Sequence, residues 1–155
     1  MLHSVIVTTE KANVLLARYF LPLTTDVKRI YEHTLFKAVH WPSLAASSAT
    51  AGDATDVHLV VCDGQYVVYR KFGELVWFLA GSGEYDELIC HDILNTLLAV
   101  ASVQLEKKCT EATFLAAHSK ILVSLDEMVF QGHLDNNDPA SILQMNKLKP
   151  YPVKA

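Results

Sequence analysis

The chain has 155 residues, 51% of them apolar and 19% charged, with a formal net charge of −4 and a mean hydropathy of +0.21. That is the length of one domain with ample material for a core, and it excludes a disordered chain. The negative balance argues against nucleic acid as a partner: no Lys/Arg stripe interleaves with aromatics, and the densest basic spot, Lys107-Lys108, reads as a solvated helix end.

Two strands are predicted first, over 2–8 and 14–20, with the polar stretch 9–13 as the hairpin turn between them. Pro22 ends the second. Thr24 or Thr25 caps a helix over about 26–39, with Val27, Ile30, Tyr31, Thr34 and Ala38 as its core face and Asp26 suited to its positive end. Pro42 closes that element, and the small, aperiodic stretch 43–56 reads as a mobile surface loop. Three strands follow, over 57–62, 66–71 and 75–80, with turns at Asp63-Gly64 and Phe72-Gly73.

In the last of these, Leu75, Trp77 and Leu79 face one way and Val76, Phe78 and Ala80 the other, so the strand needs cover on both faces. A helix over about 84–107 supplies one cover. Its apolar residues, Leu88, Leu94, Leu98 and Leu105 among them, take more than half the circumference and leave a narrow stripe of Glu87, His91, Asn95, Ser102 and Glu106. A helix this apolar touches more than one neighbour, and one of them is expected to be another protein. Helices over 111–117 and 120–130 follow; Gly132 ends that run, and Asp138-Pro139 starts a last short helix through 145. The order gives an α+β fold, a five-stranded sheet sandwiched between helices, as a single domain over 1–146 with a tail at 147–155.

The residues show no recognisable chemistry. Gly81-Ser82-Gly83 reads as a plain turn rather than a phosphate cradle, and Cys90, His91 and Asp92, neighbours on a helix, point apart. Asp86-Glu87 and Asp126-Glu127 are adjacent carboxylates suited to capping or partner contact, not a converging catalytic pair. The seven histidines lack metal-ligand spacing, and Cys62, Cys90 and Cys109 read as buried thiols of a reduced protein. No catalytic residue, cofactor or metal is expected. The opening residues are too short an apolar run for a signal peptide, and nothing reaches the length of a membrane span. Tyr66, Tyr69, Phe72, Trp77 and Phe78 crowd two strands; at least half are read as core, the rest as interface.

Five pieces in order carry a resemblance. They are Met1-Leu2-His3-Ser4-Val5-Ile6-Val7, Leu16-Ala17-Arg18-Tyr19-Phe20, Val67 to Phe72 followed by Leu75-Val76-Trp77-Phe78, Glu84 to Ile89, and Leu125-Asp126-Glu127 leading to Gly132. Together they resemble the longin-like small subunits of coat and adaptor complexes: coatomer zeta, the adaptor sigma chains and the small subunit of the TSET/TPLATE complex. The resemblance implies a non-enzymatic subunit of a heterotetrameric vesicle-coat or adaptor core, serving membrane traffic such as endocytosis. It would bind the helical-repeat trunk of a large subunit, with a medium subunit in the same complex. Its place would be the cytoplasm, peripherally on coated vesicles, Golgi or plasma membrane. Leu88, Leu94, Leu98, Leu105, Trp77 and Phe114 are the candidate partner-facing residues. Some sigma chains also bind acidic dileucine signals near the end of the long helix. Here Ala117 falls where their Asn would, and Lys107 and Lys108 fall where an apolar lining is expected, which argues against that cargo. A free-standing longin-type regulator or tether of small GTPases or SNAREs is the alternative with the same fold.

Overall fold

The computed structural model describes residues 1–46, 57–106 and 108–147. Strands β1 (Leu2–Thr9), β2 (Val14–Tyr19), β3 (His58–Cys62), β4 (Gln65–Phe72) and β5 (Leu75–Gly81) form one sheet in the order β2-β1-β5-β4-β3, antiparallel throughout. Turn chemistry sets the register. Asp63 and Gly64 both adopt positive φ, the pairing that a two-residue type I′ hairpin requires, while Gly73 leads the β4–β5 turn in the II′ manner.

The double-sided strand is β5. Leu75, Trp77 and Leu79 enter one core, and Val76, Phe78 and Ala80 enter the other. Helix α1 (Thr25–Ala38) covers the second core, capped by the Thr24 hydroxyl, which accepts from the Val27 amide. Its buried face is Tyr31 and Leu35, continued by Val39; Val27 and Ile30 are 47% and 65% exposed, correcting the face read from sequence. The helix is apolar on more than one side, so the sheet chooses: Tyr31 packs edge-on to Tyr19, and Phe36 against Phe78. Helix α2 (Trp41–Ala46) was expected as part of a loop. Pro42 sits in its first turn, where a missing N–H costs nothing, and buried Leu44 anchors it to the core. The remainder of that expected loop, 47–56, and the tail from 148 onward lie outside the described residues.

On the other face lies α3 (Glu87–Gln104), shorter at both ends than the 84–107 read from sequence. Asp86 caps it, its carboxylate accepting from the Leu88 and Ile89 amides, while Tyr85 drops into the core. Leu105 and Glu106, the latter at positive φ, close it; Lys107 lies outside the described residues. Helices α4 (Glu111–Ala116), α5 (His118–Met128) and α6 (Pro139–Asn146) complete this layer, α5 and α6 packing on α3. The expected helix over 120–130 stops at Met128. Residues Val129–Phe130 (β6) and His133–Leu134 (β7) instead form a short ribbon about Gln131 and Gly132, both at positive φ.

The thiols of Cys62, Cys90 and Cys109 are free and buried. Burial pushes Cys90 up to about 11 and Cys109 up to about 12. The folded chain holds these protons more tightly than the unfolded one, whose thiols titrate near 9.0. Their contribution to stability is therefore complete below that value and falls as pH rises through it toward 11 and beyond. The expected result is a urea midpoint that declines above pH 9, with Cys90 and Cys109 resisting iodoacetamide at pH 8 until the chain is unfolded.

Candidate partner-binding surface

Five of the six residues read as partner-facing belong to the chain's own core. Trp77, Leu94 and Phe114 are 0% exposed, Leu98 2% and Leu105 3%. The reason is geometric: α3 lies across β4 and β5 and is flanked by α5 and α6, so most of its apolar circumference finds neighbours within the chain. Phe114 stands edge-on to Trp77, ring centroids 5.6 Å apart. Leu88 alone is solvent-facing, at 73%.

What α3 turns outward differs from the polar stripe read from sequence. Glu87 and Glu106 of that stripe are exposed as read, but His91, Asn95 and Ser102 are half-buried, and an exposed line runs Leu88, Asp92, Ala99 and Val103. Arg70 explains the rotation. It is buried on β4 beneath the helix, and its guanidinium donates to the Asn95 side-chain oxygen at 3.3 Å, while the Asn95 amide contacts the His91 ring at 3.2 Å. Satisfying a buried guanidinium draws polar side chains inward, and that leaves Leu88 and Val103, the latter 59% exposed, facing water.

A second surface lies where β2 runs out. Among the described residues β2 pairs with β1 on one side only, and the ribbon β6–β7 stands opposite, held by the Leu2 amide donating to the Gly132 carbonyl at 2.7 Å. Between them opens a cleft of about 610 Å³, walled by Phe20, Leu21 and Leu23 on one side and by Val129 and Phe130 on the other. Phe130 is 64% exposed. The Arg18 guanidinium sits 3.3 Å from the Asp126 carboxylate and 5.8 Å from the Phe20 ring centroid, and the Lys28 ammonium 5.2 Å from that of Tyr19. Sequence reasoning missed this cleft, because Phe130 was read as the end of a helix. The available signal was Gln131-Gly132, a turn pair set between Val129-Phe130 and His133-Leu134.

The Gly81-Ser82-Gly83 turn has a structural role. The Ser82 hydroxyl meets the His3 ring at 2.7 Å, and a side chain at Gly81 would meet the Cys90 sulfur at 2.7 Å, so the glycine turn is packed by the chain itself. Among the described residues no group of three or more His, Cys, Asp or Glu could hold a metal, and no helix is long and apolar enough to cross a membrane.

The family model for the clathrin adaptor complex small chain matches residues 1–150. The chain is 27% identical to the TSET complex member tstD of Dictyostelium discoideum over 157 residues, spanning 99% of this chain and 97% of that protein. It is 22% identical to coatomer subunit zeta-1 of Bos taurus over 148 residues, 94% of this chain and 76% of that one. In fold it is similar to a chain of a homology model of the full-length AP-3 complex in a stretched open conformation, with a TM-score of 0.60 at 15% identity, covering 94% of this chain and 91% of that one. The five-stranded sandwich and the match along nearly the whole sequence agree: the chain belongs to the clathrin adaptor complex small chain family, as a small subunit of the coat and adaptor type.

Proposed function

We propose that this chain is a structural, non-catalytic small subunit of a TSET-type heterotetrameric coat, seated on the helical-repeat trunk of a large subunit, with a medium subunit in the same complex. The observation that carries this reading is the match with tstD, which runs nearly end to end in both chains. The outward-facing Leu88 and Val103 of α3 support it, since both side chains gain from cover that the folded chain does not supply. Leu88 is the partner-facing residue kept from the sequence-based set; the other five hold the fold on which it stands. Association with membrane is peripheral and comes through the larger complex, on the cytoplasmic side.

Acidic dileucine cargo does not fit this reading. Near the end of α3, Phe114 and Ala117 are buried, and Phe114 fills the space against Trp77 with the chain's own ring. Affinity purification of the tagged full-length chain from its native cell tests the assignment. The expected result is near-stoichiometric recovery of one large helical-repeat subunit together with a medium subunit. A chain recovered alone, soluble and monodisperse, would overturn it in favour of a free-standing longin-type module.

A further inference from the structure

We propose that the cleft between the end of β2 and the β6–β7 ribbon receives an extended segment of the large partner subunit, one that carries a carboxylate side chain beside a bulky apolar one. This inference rests on the subunit reading above and concerns a surface separate from the outward line of α3. Charge argues for the occupant. The chain as a whole carries −4, yet the cleft is lined by two cations, Arg18 and Lys28, and one anion, Asp126.

The apolar walls argue for the second half of the motif. Leu21, Leu23 and Phe130 line the cleft, and Phe130 remains 64% exposed at its mouth. The edge of β2 argues for an extended backbone. Among the described residues it pairs with β1 alone and leads straight into the cleft at Arg18, so an added strand finds main-chain partners along β2 and side-chain pockets at its end. In the free chain Asp126 occupies Arg18 at 3.3 Å, with both side chains about half exposed or more, at 45% and 61%. Such a solvent-exposed pair is weak and readily exchanged. The partner's carboxylate takes Asp126's place on Arg18, and its apolar neighbour covers Phe130.

The test places the photocrosslinking residue p-benzoylphenylalanine at position 130 of the full-length chain, assembled in its native complex, and sequences the crosslinked peptide. The expected result is a single peptide of the large subunit with Asp or Glu within two positions of an apolar residue. Its yield should fall at least tenfold in the double variant Arg18→Glu, Lys28→Glu and rise in Asp126→Ala, which frees Arg18. A crosslink to lipid, to a second copy of this chain or to a large-subunit peptide without a carboxylate overturns the proposal. So does a yield indifferent to the charge variants, or no crosslink while the large subunit still co-purifies; the subunit reading survives each of these. Absence of the large subunit even with the unmodified chain defeats the subunit reading, and the cleft's occupant falls with it.

Discussion

Replacing Gly73 with alanine is expected to lower the melting temperature by roughly 10 °C, the shift that about 3 kcal/mol produces in a domain of this size. Two effects combine. Gly73 has φ +63, a conformation that costs an L-residue about 1–2 kcal/mol. Its missing side chain is also the space into which the Cys109 segment fits: a Cβ would stand 2.3 Å from the Cys109 carbonyl oxygen and 2.5 Å from the Cys109 Cβ. Relieving that collision means moving backbone, which costs about 1–3 kcal/mol more. The movement also strains the 2.9 Å hydrogen bond from the Glu74 amide to the same carbonyl. Gly64→Ala is the matched comparison, because φ is +74 there but nothing lies within 4 Å of the added methyl. Thermal melts of the two variants separate the conformational cost from the steric one. Equal shifts would mean that the Cys109 segment yields freely.

Truncating Phe114 to alanine is expected to cost about 3–5 kcal/mol in the isolated chain, the range for deleting a buried aromatic ring. The side chain is fully buried and edge-on to Trp77, itself 0% exposed, so the void opens inside the core under α4. Leu88→Ala separates fold from interface. At 73% exposure it should leave the melting temperature of the isolated chain within a few degrees of the parent and instead reduce recovery of the large subunit. Urea unfolding of Phe114→Ala and Leu88→Ala, set beside co-purification from cells, distinguishes the two roles. A stable Phe114→Ala chain would show that the ring is dispensable to the core.

The elements that periodicity and turn chemistry specify were legible in the sequence. Strand β5 announced its two buried faces, and Asp63-Gly64 and Gly73 announced the turns around β4. The family resemblance was legible too, because its five pieces lie in elements that the structure forms. What stayed hidden depends on which neighbour an apolar side chain meets. On α1, Val27, Ile30 and Tyr31 are all apolar or aromatic, and only the position of the sheet decides that Tyr31 goes in while Ile30 stays out. On α3, Leu94, Leu98 and Leu105 looked surplus because the packing of α5 and α6 against that helix is not written in its own periodicity. The outward line of Leu88 and Val103 depends on Arg70, a residue on another element, claiming Asn95. The cleft at Phe130 depends on a two-residue strand whose turn is tied to a distant element, the Gly132 carbonyl accepting from the Leu2 amide.

The placement of β1 has a consequence for how the protein is made. This strand lies inside the sheet, with Val5, Ile6 and Val7 at most 1% exposed, yet its partner on one side is β5, where Val5 stands opposite Leu79. A ribosome releases β1 and β2 well before β5, and a lone two-stranded hairpin is marginal in water. Until β5 emerges, the nascent chain carries an apolar strand without its cover, the kind of surface that draws aggregation or a chaperone. Supply of the assembled coat therefore depends in part on how that interval during translation is shielded.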